Sequence, residues 1–192
     1  MKFTPTIAFL VISNLIPLAG VFLFGWSVAS ILVLYWLESV IIGGLNIIKI
    51  FACQGHVIGK LFISVFFSFH FGMFCYGHAV FISEMFDARE IFESVKNGGP
   101  LLWAALSFLA SHFFSLLINF FGKKEYLGRE ANVQMFMPYG RVVVMHLVIL
   151  IGGLFVQLFN QPVIALIFLI GLKIFIDIGA HKISHKDGGV TA

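Results

Sequence analysis

Ionisable side chains inside apolar segments are the first chemical signal in this sequence. Glu38, His70, His78, His112, His146, Lys173, Asp177 and His181 all fall within long hydrophobic runs. A charge at mid-bilayer costs roughly 2.5–3.5 kcal/mol even on mild insertion scales, so such groups turn inward and find partners. Asp177 and His181 are four residues apart, on one helical face, with a rise of about 6 Å. Two ligands at that spacing can hold one metal ion. His146 stands roughly 10 Å in from the start of its span at Tyr139, close to their expected depth. Glu38 and His70 lie slightly higher. Glu38, His70, His146, Asp177 and His181 are therefore expected to converge in the inner half of a helical bundle. His78 is about 12 Å outward of His70 on the same helix, and one metal cannot take both.

Imidazole and carboxylate without thiolate suit a divalent transition metal, zinc or non-haem iron before manganese or copper. The expected ligands are His70, His146, Asp177 and His181. Glu38 is the expected catalytic residue, as general base beside a metal-bound water or as a further ligand. Plainer readings stand beside these. Lys173 is one turn from Asp177, so the two can neutralise each other. His112, with Ser111 and Ser115 nearby, reads as a hydrogen-bonder between helices, and so do Asn14 and Asn46. His70 and His112 at similar depth, among Phe66, Phe67, Phe69, Phe71 and Phe74, could be the axial ligands of a porphyrin, but ordinary lipid-facing phenylalanine is the favoured reading. No organic cofactor-binding residue is indicated.

The elements that must position these groups follow from composition. Of 192 residues, 60% are hydrophobic and 11% charged, with a mean hydropathy of +1.02. Soluble domains average roughly 45–50% and about 25%. A water-soluble, disordered or fibrous chain is excluded. Residues 1–192 read as one all-α integral membrane domain, a helical bundle of six transmembrane helices. The expected spans are about 4–23, 26–51, 61–83, 101–121, 139–159 and 162–181. Pro100, Pro138 and Pro162 mark the starts of the last three. The first segment reads as a span rather than a signal peptide, for want of a small-x-small cleavage site. Cys53 and Cys75 lie at different depths and suggest no disulfide. Gly43, Gly44, Gly72, Gly77, Gly152 and Gly153 permit close helix approach.

With a cytoplasmic N-terminus, Lys2, Lys49, Lys60, Lys123, Lys124, Arg129, Arg141, Lys182 and Lys186 fall inside and only Arg89 and Lys96 outside. That bias places both termini in the cytoplasm. It also accounts for the net charge of +3 without nucleic acid. Residues 84–96 alternate as a short amphipathic helix on the outer surface. Residues 123–137 read as a cytoplasmic linker whose basic side chains meet anionic lipid.

The run Tyr35-Trp36-Leu37-Glu38 with Gly43, the segment His70-Phe71-Gly72 with His78, the stretch Pro138-Tyr139-Gly140-Arg141 with His146, and Lys173, Asp177 and His181 together carry a resemblance. They resemble an uncharacterised family of small polytopic bacterial inner-membrane proteins, classed as a domain of unknown function. The resemblance covers most of the chain and implies a multi-pass protein of the bacterial inner (plasma) membrane. It supplies no reaction. A fainter likeness joins His181 and His185 to the His-x-x-x-His of zinc-dependent membrane hydrolases of the ceramidase and progestin-receptor type. The span count and the position of the pair depart from that pattern.

The functional expectation is a membrane-embedded metalloprotein performing metal-assisted hydrolysis or oxidation of a lipid-soluble substrate. The rivals are a proton- or ion-coupled transporter, in which the buried charges form a relay, and an accessory subunit, in which they hold helices together. Membrane lipid and a lipid-soluble substrate are the expected partners.

Overall fold

The computed structural model describes residues 27–159, with Ile167 and Gly171 as single positions beyond them. Those residues are all-α. Helix α1, Val28–Ala52, begins at Ser27, whose Oγ accepts from the Ser30 amide at 3.0 Å and satisfies one free donor of the first turn. At its other end Lys60 Nζ donates to the carbonyls of Phe51 and Cys53, at 2.9 and 3.0 Å, which the helix leaves without amide partners. Gly55, at φ 133°, turns the chain into α2, Val57–Met85. Asp87 (φ 52°) and Gly98 (φ 85°) bracket the short α3, Arg89–Lys96. Pro100 opens α4, Pro100–Ser115, which passes into a π-helical turn, Leu116–Phe121. A 3-10 turn, Glu125–Gly128, precedes α5, Ala131–Phe136, and α6, Tyr139–Phe159.

Four stretches are long and apolar enough to cross a membrane: Val28–Ala52, Val57–Met85, Leu101–Phe121 and Ala131–Leu154. They match the second to fifth expected spans. The expected spans 4–23 and 162–181 lie outside the described residues. The helix α1 packs against each of the other helices. At Gly43 it passes close to α2: a Cβ there would sit 2.3 Å from the Phe71 ring. At Gly44, Gly72 and Gly77 a Cβ would meet open space, so those glycines do not serve close approach to a described neighbour.

Two readings from sequence change. Residues 123–137 are not a free linker. Gln54 and Glu130 form a parallel bridge, and Ala131, Gln134 and Met135 bury one face of α5 against the bundle. The buried amides explain it: Gln134 Nε2 donates to Asn46 Oδ1 at 2.7 Å, and Asn46 Nδ2 donates to the Gln134 carbonyl at 3.3 Å. The 84–96 segment contains the expected short helix, α3, but turns its apolar face to the protein. Phe86, Ile91, Phe92 and Val95 pack on the core, and Phe92 meets Trp36 edge to face at 5.2 Å.

The core has two apolar clusters. One gathers Leu32, Val33, Ile82, Val148 and Ile149 toward α3; the other gathers Ile50, Phe67, Phe71, Phe120 and Met135 toward the α1–α2 turn. On α1, Glu38 and Ser39 lie in the interval between them, and on α6 Arg141 adjoins it.

Candidate functional site

Besides the Asn46–Gln134 amides, three polar assemblies join helices distant in sequence among the described residues. The first is centred on Glu38 of α1. Its Oε2 accepts from Arg141 Nη2 of α6, and its Oε1 accepts from His112 Nε2 of α4 at 3.1 Å. Arg141 Nε also donates to Ser39 Oγ at 3.1 Å, while Ser39 Oγ donates to the Tyr35 carbonyl at 2.8 Å. Both oxygens of the carboxylate are therefore engaged, one by a guanidinium and one by an imidazole. The side chain of Glu38 is only 18% exposed. In so dry a place an ionised carboxylate needs a counterion, and Arg141 supplies it.

The second assembly joins α2 and α6. His78 Nε2 and His146 Nδ1 face each other at 3.3 Å, with rings tilted by 35°. His78 is buried and His146 half-buried. The third joins the same helices about two turns away along α2. His70 Nδ1 lies 2.8 Å from the Tyr139 hydroxyl, with Phe66 stacked on one side of the ring and Phe74 against it edge-on.

The residues expected to converge therefore divide. Glu38, His70 and His146 each have a different partner. His146 meets His78, which depth alone had set apart from His70. Asp177, His181, Lys173 and His185 lie outside the described residues. Among the described residues no group of three or more metal-ligating side chains forms. Two pairs of such side chains do meet, His78 with His146 and Glu38 with His112. His112 joins two helices, as its neighbourhood suggested, and Asn46 does the same. His70 and His112 are each turned to their own partner, which gives the porphyrin reading no support.

Arg141 was the residue most misjudged from sequence. It follows Pro138-Tyr139-Gly140 and was counted with the loop charges. It was also inside the expected span 139–159, and what went unforeseen is its pairing with Glu38. One signal for this was available: Glu38 had no basic neighbour at helical spacing on α1. Tyr139 had no comparable signal, because its role depends on where α2 passes. Trp36 points inward and donates from Nε1 to the Cys75 carbonyl at 2.7 Å.

No curated protein and no solved structure matches the chain. A family model does match, described as a family of unknown function (DUF6498), over residues 1–191. The deep pairs just described are thus carried on a chain that belongs to the DUF6498 family.

Proposed function

We propose that this is a membrane-embedded metal-binding protein of the bacterial inner membrane, acting on a lipid-soluble substrate that reaches the bundle from the side. The observation that carries the reading is the His78–His146 pair. Two imidazole nitrogens bound to one tetrahedral zinc, at about 2.0–2.1 Å each, stand about 3.3–3.4 Å apart. The two nitrogens here are 3.3 Å apart, near the long end for a hydrogen bond. His78 replaces His70 in the ligand set because it shares a level with His146. Asp177 and His181 remain the expected completing ligands, one turn apart in sequence. Three or four such ligands with one open position would make a Lewis-acid site able to activate water. Glu38, whose two oxygens are engaged by Arg141 and His112, is left out of that site in this reading.

The test is metal content. The full chain, purified in detergent, is stripped with a chelator and reloaded with zinc or iron(II). Wild type and His70→Ala should retain about one equivalent, and His78→Ala and His146→Ala should fall below about a tenth. A wild-type protein that holds less than that, or histidine variants that load like wild type, overturns the reading.

A further inference from the structure

We infer that His112 is a proton-accepting residue inside the bundle, oriented by Glu38, and that its Nδ1 takes a proton from a hydroxyl or water reaching α4 from outside the described helices. Glu38 is the positioning residue and Arg141 holds Glu38 in place. This stands apart from the metal reading, because it uses none of the proposed ligands.

Glu38 is ion-paired with Arg141, and an ionised carboxylate can only accept. The contact at 3.1 Å therefore requires Nε2 of His112 to carry the hydrogen. In a neutral imidazole only one nitrogen is protonated, so Nδ1 keeps its lone pair. No hydrogen bond to Nδ1 is formed among the described residues. The side chain is 32% exposed, against 18% for Glu38. The imidazole is thus the more open member of the pair, and the carboxylate that fixes it the more enclosed. A carboxylate that sets the tautomer of a histidine and leaves the second nitrogen basic is the arrangement general-base chemistry needs.

In the transfer, the O–H bond of the donor breaks and its electron pair stays on oxygen. The proton goes to Nδ1, and the ring becomes an imidazolium that still donates from Nε2 to Glu38. Before transfer the trio of Arg141, Glu38 and neutral His112 carries no net charge. Afterwards Glu38 lies between two cations, with one oxygen toward each. A purely structural histidine needs only the contact with Glu38; an Nδ1 without a hydrogen bond among the described residues is the feature such a role leaves unused.

The test reads the tautomer directly. Full-length protein labelled with 15N-histidine is placed in lipid nanodiscs, and the His112 signals are identified by their loss in His112→Asn. The expected spectrum of the neutral ring shows its hydrogen on Nε2 and none on Nδ1. Glu38→Gln should bring the opposite tautomer up to a visible fraction. A small acylating probe, diethyl pyrocarbonate, should modify His112 in wild-type protein, as read by mass spectrometry. Wild-type His112 with its hydrogen on Nδ1, or resistant to the probe, overturns the proposal. Because the decisive readings are on wild-type protein, an unstable Glu38→Gln does not leave it untested. Unchanged metal loading in His112→Asn separates its outcome from that of the metal proposal.

Discussion

Glu38 of α1 and Arg141 of α6 form an ion pair between residues 103 apart in sequence, within two helices that are mostly apolar. Glu38 is the only carboxylate in α1, and Arg141 is the only charged residue of α6. Each is the other's reason to be there. The pair ties the first described helix to the last, and His112 adds α4 through the same carboxylate.

Breaking one side of this pair should be worse than removing both. Arg141→Met or Glu38→Gln alone leaves a polar group without its partner, at a cost of roughly 3–5 kcal/mol in buried sites. The partial exposure of Arg141 favours the lower end of that range. Glu38→Gln with Arg141→Met should lose less than the sum of the single changes. Denaturation in graded detergent mixtures measures this. Strictly additive losses would remove the pair from any structural role.

How much of this was legible follows from the same two residues. Glu38 stood out at once, because a carboxylate in an apolar run is a local anomaly. Its partner did not, because Arg141 follows a proline and a glycine and looks like a loop charge. Helix length and hydropathy located the four described spans, since both are local properties. The groupings within the bundle were not local. They depend on the rotation of α2 and α6 about their axes, and that brings His146 against His78 rather than against His70. The buried face of α5 was missed for a similar reason. Six residues carry too little periodicity to announce a helix, and only Asn46 explains why Gln134 is inside.

The Asn46–Gln134 amide pair should behave as one unit. Both residues are 2% exposed, and Gln134 Oε1 also accepts from Arg129 Nη1 at 2.8 Å. Gln134→Ala strands the Asn46 amide in the core and frees Arg129, costing about 1–3 kcal/mol. Asn46→Leu with Gln134→Leu should recover part of that loss. If the double change is no better than Gln134→Ala, the amides are not satisfying each other.

Gly43 should tolerate no side chain. A Cβ there would lie 2.3 Å from Phe71, which is 5% exposed and stacked on Phe67, so the ring has little room to retreat. Gly43→Ala is expected to cost about 1–3 kcal/mol through overpacking. Gly44→Ala, next to it but facing open space, should be near neutral or slightly stabilising. Phe71→Leu in the Gly43→Ala background should restore stability in part. Equal effects at the two glycines, in the same unfolding assay, would contradict the close approach of α1 and α2.

Cys53, just past the end of α1, gives a prediction in pH. Burial pushes its thiol up from the ordinary range, although Arg129, Lys60 and Lys49 pull the other way. The folded state therefore holds the proton to higher pH than the unfolded chain does. The contribution to stability is fully present below the ordinary thiol range, about 8.5, and is lost as pH climbs from there through the raised value. The reactive form is the thiolate, so labelling follows the same titration. In a Cys75→Ala background, the rate of Cys53 alkylation should keep rising above the ordinary thiol range rather than level off near it. Lys60→Met removes one of the charges that favour the thiolate, and should slow labelling further at any given alkaline pH. A rate that levels off at or below the ordinary range would mean that the neighbouring cations outweigh burial.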